Sequence, residues 1–322
     1  MEICPLEDCP SNVNSVNKHS QPGTPAGAAG LVALGKLVLV GLVLGAGLTA
    51  QPRHVAAQDI CGEVVSLTTR GAQTIAYSFA EPTAPEQSAQ PSKPQVALVL
   101  LPGGSGLLDL DADGCPRKFK GNSLVRSLAL FLDNGLFTAL VDAPSDYRTK
   151  DGLGDFRTSP KHAEDLGAVI ADVRSRTNLP VFLVGTSRGT ISAANAASRL
   201  SGPGAPDGVV LTSPLTLGRA GTSKAWVGQT VFDLRLSEIR MPILVIAHAA
   251  DTCVRTPPRL AGKIIERTNG AREQLAMVTG GPGVSKKLSR IKACQGRAPH
   301  GYIGQESEVA EGIARFVRGG SF

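Results

Sequence analysis

The chain has 322 residues, enough for one α/β domain or two smaller domains, and a hydrophobic content of 42% suits a globular core. The formal net charge is +6, but the lysines and arginines are dispersed along the sequence. No basic stripe with interleaved aromatic residues occurs, so the sequence argues against binding to nucleic acid.

Residues 1–57 are predicted to lie outside the folded domain. The first 30 are polar and rich in Pro, Gly and Asn, a composition typical of disorder. The apolar run Leu37–Ala50 that follows Lys36 is short for a membrane span but suits a secretory signal, with cleavage expected after Ala50 or Ala57. We therefore expect translation to start near Val32 and the protein to be exported to a bacterial periplasm or secreted. An uncleaved membrane anchor is the alternative, and it is the only membrane contact that the sequence predicts.

Residues 58–322 are predicted to form one domain. An antiparallel hairpin comes first, followed by a Pro/Ser/Gln-rich surface loop at residues 81–94. Apolar strands then alternate with helices, which indicates a mostly parallel sheet with helices on both faces. The predicted strands are Glu63–Thr69, Gln73–Phe79, Gln95–Leu101, Phe137–Val141, Val181–Val184, Gly208–Leu211, Ile243–Ala247 and Gln274–Val278, and the predicted helices are Asn122–Asn134, Pro160–Thr177, Arg188–Leu200, Pro257–Asn269 and Gln305–Arg318.

One strand-to-helix junction carries a candidate nucleophile. Ser187 stands between Gly185 and Gly189, at the point where a buried strand gives way to a helix rich in small residues. A sharp turn there would force a strained serine backbone and leave no room for side chains on the flanking positions. The helix would also direct its N-terminal amides towards the serine oxygen.

A serine hydroxyl needs a base to accept its proton, and histidine held by a carboxylate is the usual base. His300, in a Gly/Pro-bounded loop before the last helix, is the preferred candidate. His248, at the end of a strand, is the alternative, and His162, in the first turn of a helix, is expected at the surface. Asp251 is the preferred carboxylate because it follows a buried strand, and Asp142, which ends another strand, is its competitor.

These residues resemble the α/β-hydrolase family from about Gln95 to Phe322. Gly185-Thr-Ser187-Arg-Gly189 is similar to the family's nucleophile elbow, and His248-Ala-Ala-Asp251 to its acid loop. The resemblance implies a catalytic triad of Ser187, Asp251 and His300. The short segment between Pro214 and Arg240 implies a minimal lid.

The resemblance also implies an oxyanion hole. Leu101-Pro-Gly-Gly-Ser-Gly matches the position of the family's oxyanion loop, although Pro102 stands where many members carry histidine. The expected donors are the backbone amides of Gly104 and Arg188, with Ser105 as an alternative to Gly104.

Four cysteines remain in the predicted mature chain, an even number that favours disulfides in an exported protein. If Asp251 and His300 touch, the loops that carry Cys253 and Cys294 are neighbours. This favours a Cys253–Cys294 bond with Cys61–Cys115 as the second, one of three possible pairings. No metal-ligand spacing is seen, so no metal or other cofactor is expected.

The predicted function is that of a serine hydrolase that cleaves a carboxylic ester of a small-molecule acyl substrate. A peptidase, amidase or acyltransferase on the same triad is the alternative, followed by a non-catalytic binding protein of the same fold. Arg188 and the basic cluster Lys286, Lys287, Arg290, Lys292 and Arg297 would favour an acidic substrate group. The competing interpretation is that Arg188 pairs with Asp142 or Asp146 and that the cluster is a solvated loop.

Overall fold

The computed structural model of the chain describes residues 61–82, 95–219, 221–282, 288 and 291–322. The predicted leader and signal at residues 1–57 lie outside the described residues, as do residues 83–94 of the predicted surface loop and Lys286, Lys287 and Arg290 of the basic cluster. Within the described part, no helix combines the length and the apolar character needed to cross a bilayer.

Eight strands of the described chain form one sheet. They are β1 (Glu63–Thr68), β2 (Thr74–Ala80), β3 (Val96–Leu101), β4 (Leu136–Val141), β5 (Val181–Thr186), β6 (Gly208–Thr212), β7 (Ile243–His248) and β8 (Glu273–Val278). The strand order is β1-β2-β4-β3-β5-β6-β7-β8. β1 and β2 form the expected antiparallel hairpin, β2 is also antiparallel to β4, and the remaining neighbours are parallel.

Helices cover both faces of the sheet. They are α1 (Ser123–Arg126), α2 (Leu128–Asp133), α3 (Pro160–Thr177), α4 (Gly189–Arg199), α5 (Gly262–Ile265) and α6 (Glu306–Val317). α3, α4 and α5 contribute to one apolar core and α1, α2 and α6 to the other. Every residue of the central strands β3, β5, β6 and β7 is buried, which explains their unbroken apolar sequences. The predicted fold class is confirmed.

Two predicted helices are shorter than expected. The helix predicted at Asn122–Asn134 is divided at Ser127, which ends α1 and precedes α2. The helix predicted at Pro257–Asn269 is reduced to a 3-10 turn at Pro258–Leu260 and the single turn of α5. The Asn269 amide donates to the carbonyl of Ile239 at 3.1 Å, so a partner distant in sequence replaces a helical one.

The segment predicted to be a minimal lid contains three short 3-10 helices, at Ala225–Gly228, Val231–Asp233 and Leu236–Glu238. Its apolar residues Val231, Leu236 and Ile239 are buried in the same core as α4. The described residues of this segment therefore pack against the body of the domain.

The described residues contain two disulfides. Cys61 is bonded to Cys115 and Cys253 to Cys294, with Cα atoms 4.7 and 4.6 Å apart. This is the pairing that the sequence analysis favoured. Such bonds persist in oxidising compartments, which agrees with an exported protein.

Candidate active site

Ser187 occupies the turn between β5 and α4. Its backbone has a φ of 52°, a left-handed conformation that is strained for a residue other than glycine. A Cβ atom on Gly185 would lie 2.5 Å from the carbonyl oxygen of Gly189, and one on Gly189 would collide with the carbonyl of Leu101. Both positions flanking the serine therefore require glycine, as the sequence pattern predicted.

His300 and Asp251 are hydrogen-bonded to each other in the interior. His300 Nδ1 lies 3.0 Å from Asp251 Oδ2, and the two side chains are 4% and 1% exposed. The other carboxylate oxygen of Asp251 accepts from the backbone amide of Cys253 at 2.8 Å, which fixes the carboxylate in place. An ionised carboxylate only accepts, so Nδ1 carries the proton of the neutral imidazole and Nε2 is left as an acceptor.

Sequence reasoning missed Thr256. Its hydroxyl donates to Asp251 Oδ2 at 2.8 Å and also lies 3.0 Å from His300 Nδ1. The threonine thus contacts both members of the pair, and it is itself buried. Thr256 lies five residues after Asp251 and belongs to no sequence motif that would have identified it.

The backbone of the His300 loop is anchored by residues that also escaped sequence analysis. The Ser213 hydroxyl donates to the carbonyl oxygen of His300 at 2.7 Å. The Tyr302 hydroxyl accepts from the Ser213 amide at 2.8 Å and donates to the carbonyl of Ile246 at 2.9 Å. Burial raises the pKa of the Tyr302 phenol, which therefore remains a donor. These contacts tie the loop to the ends of β6 and β7.

Ser187 and His300 line the same cavity, of about 300 Å³. Apart from the imidazole, no ionisable side chain of the described residues lines it. The remaining walls are mainly glycine backbone and neutral side chains: Gly103, Gly104, Phe119, Gly121, Asn122, Ser123, Thr186, Cys294, Gln295, Gly296 and Gly301.

The loop after β3 lies directly against the serine. A Cβ atom on Gly103 would lie 2.9 Å from Ser187 Cβ and 3.5 Å from the Arg188 amide nitrogen. Gly104 lines the cavity, whereas its alternative, Ser105, does not. The Ser105 carbonyl instead accepts from the Leu153 amide at 2.8 Å. Arg188 precedes the first turn of α4, where backbone amides lack helical partners.

The Arg188 side chain does not line the cavity. Its guanidinium stacks on the Trp226 ring, 4.2 Å from the centroid, and donates to the Gly154 carbonyl at 3.0 Å. Burial, with a smaller effect from Arg255, lowers the pKa of Arg188 to about 10. The structure thus shows neither of the two roles considered for the Arg188 side chain, which were recognition of an acidic substrate and pairing with an aspartate.

Both aspartates considered as partners of Arg188 are bound elsewhere. Asp146 pairs with Arg70 at 2.8 Å, and Asp142 pairs with Arg148 at 2.7 Å. Asp142 also accepts from the Leu108 amide at 2.6 Å. The competitor of Asp251 therefore holds the loop that follows β3.

The other two histidines of the described residues, His248 and His162, lie outside the cavity. His248 Nδ1 accepts from the Ala250 amide at 3.1 Å, and burial lowers the pKa of this imidazole. The prediction that His162 lies at the surface was wrong. It is fully buried against Ser192 with Nε2 2.9 Å from the hydroxyl, because α3 turns its first residues towards α4. Burial, then repulsion from Arg157 and Arg70, lowers the pKa of His162 to about 3.

Asp251, Cys253 and His300 place possible metal-ligand atoms within 4.8 Å of one another. The Cys253 sulfur is part of a disulfide and offers no thiolate, and the other two groups are hydrogen-bonded to each other. The donor set therefore fits a metal poorly.

No protein-family model matches the chain, and no curated protein sequence matches it. Among solved structures, an esterase of Pyrococcus furiosus is 14% identical with a TM-score of 0.50, over 80% of this chain and 91% of that one. A puromycin-hydrolyzing peptidase of Mycobacterium tuberculosis is 13% identical with a TM-score of 0.50, over 79% of this chain and 39% of that one. The chain shares the fold of these solved structures, which is the α/β-hydrolase fold.

Proposed function

We propose that the protein is a serine hydrolase that cleaves carboxylic esters with a small, uncharged acyl group. The observation that carries the proposal is the 3.0 Å contact between His300 and Asp251 at a cavity that Ser187 also lines. A binding protein would not require a strained serine, an oriented imidazole and a buried carboxylate at one site.

In the proposed reaction, His300 Nε2 accepts the Ser187 proton while the serine oxygen attacks the acyl carbon. Asp251 stabilises the imidazolium that forms. The amides of Gly104 and Arg188 are the proposed donors to the oxyanion. His300 then gives its proton to the departing alcohol, which leaves an ester on Ser187. A water molecule, deprotonated by the same imidazole, hydrolyses that ester and restores the serine.

The walls of the cavity support the choice of substrate. They carry no carboxylate, ammonium or guanidinium group from the described residues, so a charged acyl group would lose its hydration without a partner. The volume of about 300 Å³ is at the small end for ligand sites. We therefore favour short acyl chains over long ones.

Labelling with a fluorophosphonate tests the nucleophile. The wild type is expected to become labelled, and Ser187→Ala is expected to remain unlabelled while keeping the wild-type circular dichroism spectrum. Labelling that persists in Ser187→Ala would contradict the proposal.

A substrate panel then tests the reaction. Short p-nitrophenyl esters are expected to be hydrolysed faster than aminoacyl p-nitroanilides, with Ser187→Ala as the control. A preference for the anilides would replace esterase activity with amidase or peptidase activity on the same residues.

A further inference from the structure

Arg157 is a buried cation outside the proposed triad. It is 1% exposed, and no carboxylate of the described residues pairs with it. Burial, and to a lesser extent repulsion from Arg188, lowers the pKa of its guanidinium well below the usual range. Burying a charged group costs free energy unless hydrogen bonds or an opposite charge compensate for the lost hydration.

The guanidinium makes its hydrogen bonds to α4 and to the loop after β3. Nη1 donates to the Ser192 hydroxyl at 2.7 Å. Nη2 donates to the Pro102 carbonyl at 3.1 Å and, more weakly, to the Gly104 carbonyl at 3.4 Å. One planar group therefore connects the helix that follows Ser187 to the proposed oxyanion loop.

These two carbonyls flank the peptide that bears the Gly104 amide. That central peptide, between Gly103 and Gly104, has its own carbonyl fixed by the Gly106 amide at 3.1 Å. Three consecutive carbonyls are thus held, the outer two by Arg157. Glycine has the widest choice of backbone angles, so a Gly-Gly pair without such contacts would allow the amide to rotate.

The arrangement also separates Arg157 from the substrate. Gly103 and Gly104 line the cavity, whereas Arg157 lines a small void behind the loop with Pro102 and Gly106. In a trans peptide the amide points opposite to its carbonyl, so the contact at the Pro102 carbonyl fixes the Gly103 amide. The Gly104 amide, which is the proposed donor, belongs to the next peptide and is held between the two peptides that Arg157 fixes.

We propose that Arg157 is a positioning residue that holds the backbone of the Pro102–Gly104 loop in the orientation needed to stabilise the oxyanion. This inference rests on the proposed serine-hydrolase function. It assigns Arg157 no contact with the substrate.

The test compares Arg157→Met with Arg174→Met. Methionine keeps an apolar side chain without the donors. Arg174, in the last turn of α3, is a matched control because its guanidinium also donates to two carbonyls of a Pro/Gly loop. These are the carbonyls of Pro203 and Ala205. Active sites are counted by fluorophosphonate titration, so that kcat is expressed per competent molecule.

Arg157→Met is expected to lower kcat on a short ester by about 10- to 100-fold, somewhat less than the loss of a complete oxyanion donor. KM is expected to change less than threefold, and the affinity for a boronic acid that mimics the tetrahedral intermediate should fall in parallel with kcat/KM. Arg174→Met should keep the wild-type values. A purely structural role would reduce the number of titrated sites and leave kcat per site unchanged, which would overturn the proposal.

Arg157→Lys covers the case in which the methionine variant does not fold. The lysine ammonium has three N–H donors on one nitrogen, but it lacks the planar fork through which Nη1 and Nη2 reach Ser192 and the loop separately, so kcat per site should still fall. Full activity in this variant would show that charge alone suffices and would refute the positioning role.

If the wild type lacks any activity that depends on Ser187, the proposed function fails and this inference fails with it. An active wild type with unaffected Arg157 variants would refute the inference alone.

Discussion

The disulfide between Cys253 and Cys294 joins the loop that carries Asp251 to the loop that carries His300. Cys253 donates its backbone amide to Asp251, and Cys294 lines the cavity. The bond therefore connects the two loops at the point where the proposed acid and base meet.

Removal of this disulfide should affect both stability and activity. For a 41-residue separation, the loss of loop-closure entropy corresponds to about 4 kcal/mol of unfolding free energy. The double variant Cys253→Ser/Cys294→Ser should lose up to this amount in urea unfolding, and its kcat should fall several-fold because the acid and base loops are no longer linked.

The second disulfide provides the control. Cys61 and Cys115 are 54 residues apart and neither lines the cavity, so Cys61→Ser/Cys115→Ser should lose a similar free energy of unfolding. Its kcat per folded molecule should stay at the wild-type value. Equal losses of kcat in the two double variants would argue against a special role for the Cys253–Cys294 bond.

Thr256→Val should lower kcat by about tenfold, because a hydrogen bond to a charged carboxylate contributes about 1.5 kcal/mol. The variant keeps the shape of the side chain and removes only the hydroxyl that contacts Asp251 and His300. Thr256→Ser restores the hydroxyl and should recover most of the activity. Steady-state kinetics across the pH range measures both, and wild-type kcat in the valine variant would exclude Thr256 from the catalytic network.

Phe119→Ala should shift the preference towards longer acyl chains. The Phe119 ring lies against Gly104 at the cavity wall and is 37% exposed, so truncation enlarges the opening. The ratio of kcat/KM for p-nitrophenyl octanoate to kcat/KM for p-nitrophenyl acetate should rise about tenfold. This is the size of effect expected when a pocket gains room for additional methylene groups. Leu217→Ala, which removes an exposed apolar side chain outside the cavity, should leave the ratio unchanged. An unaltered ratio in Phe119→Ala would place the acyl chain elsewhere.

His162 should make stability fall in acid. Its pKa is about 3 in the folded protein against about 6.5 when unfolded, so below pH 6.5 the unfolded state binds a proton that the folded state does not. The free energy of unfolding should then decrease by up to about 1.4 kcal/mol per pH unit from this residue alone, between pH 6.5 and pH 3.

The check is urea unfolding of the wild type and of His162→Gln at pH 7, 6, 5 and 4. Other titrating groups, including His248, are common to both proteins and cancel in the difference. The variant should show a shallower decline, and parallel curves would show that His162 is protonated equally in both states.

The sequence by itself determined the order of strands and helices, the parallel sheet and the glycine-flanked turn at Ser187. A strand that is buried on both faces is apolar throughout, and a Cβ atom on Gly185 would collide with the carbonyl of Gly189 four residues away. At Gly189 the excluding contact comes from Leu101 on β3, although the glycine spacing still marked the turn. The order of the strands along the chain also identified Asp251 and His300 as candidates, because Asp251 follows β7 and His300 follows β8.

Only the tertiary structure decided which polar groups meet. Thr256, Ser213 and Arg157 acquire their roles from partners far away in sequence, and no spacing in the chain marks such contacts. The same reason explains why His162 is buried and why Arg188 stacks on Trp226, because the packing of α3, α4 and the lid segment sets the surroundings of each.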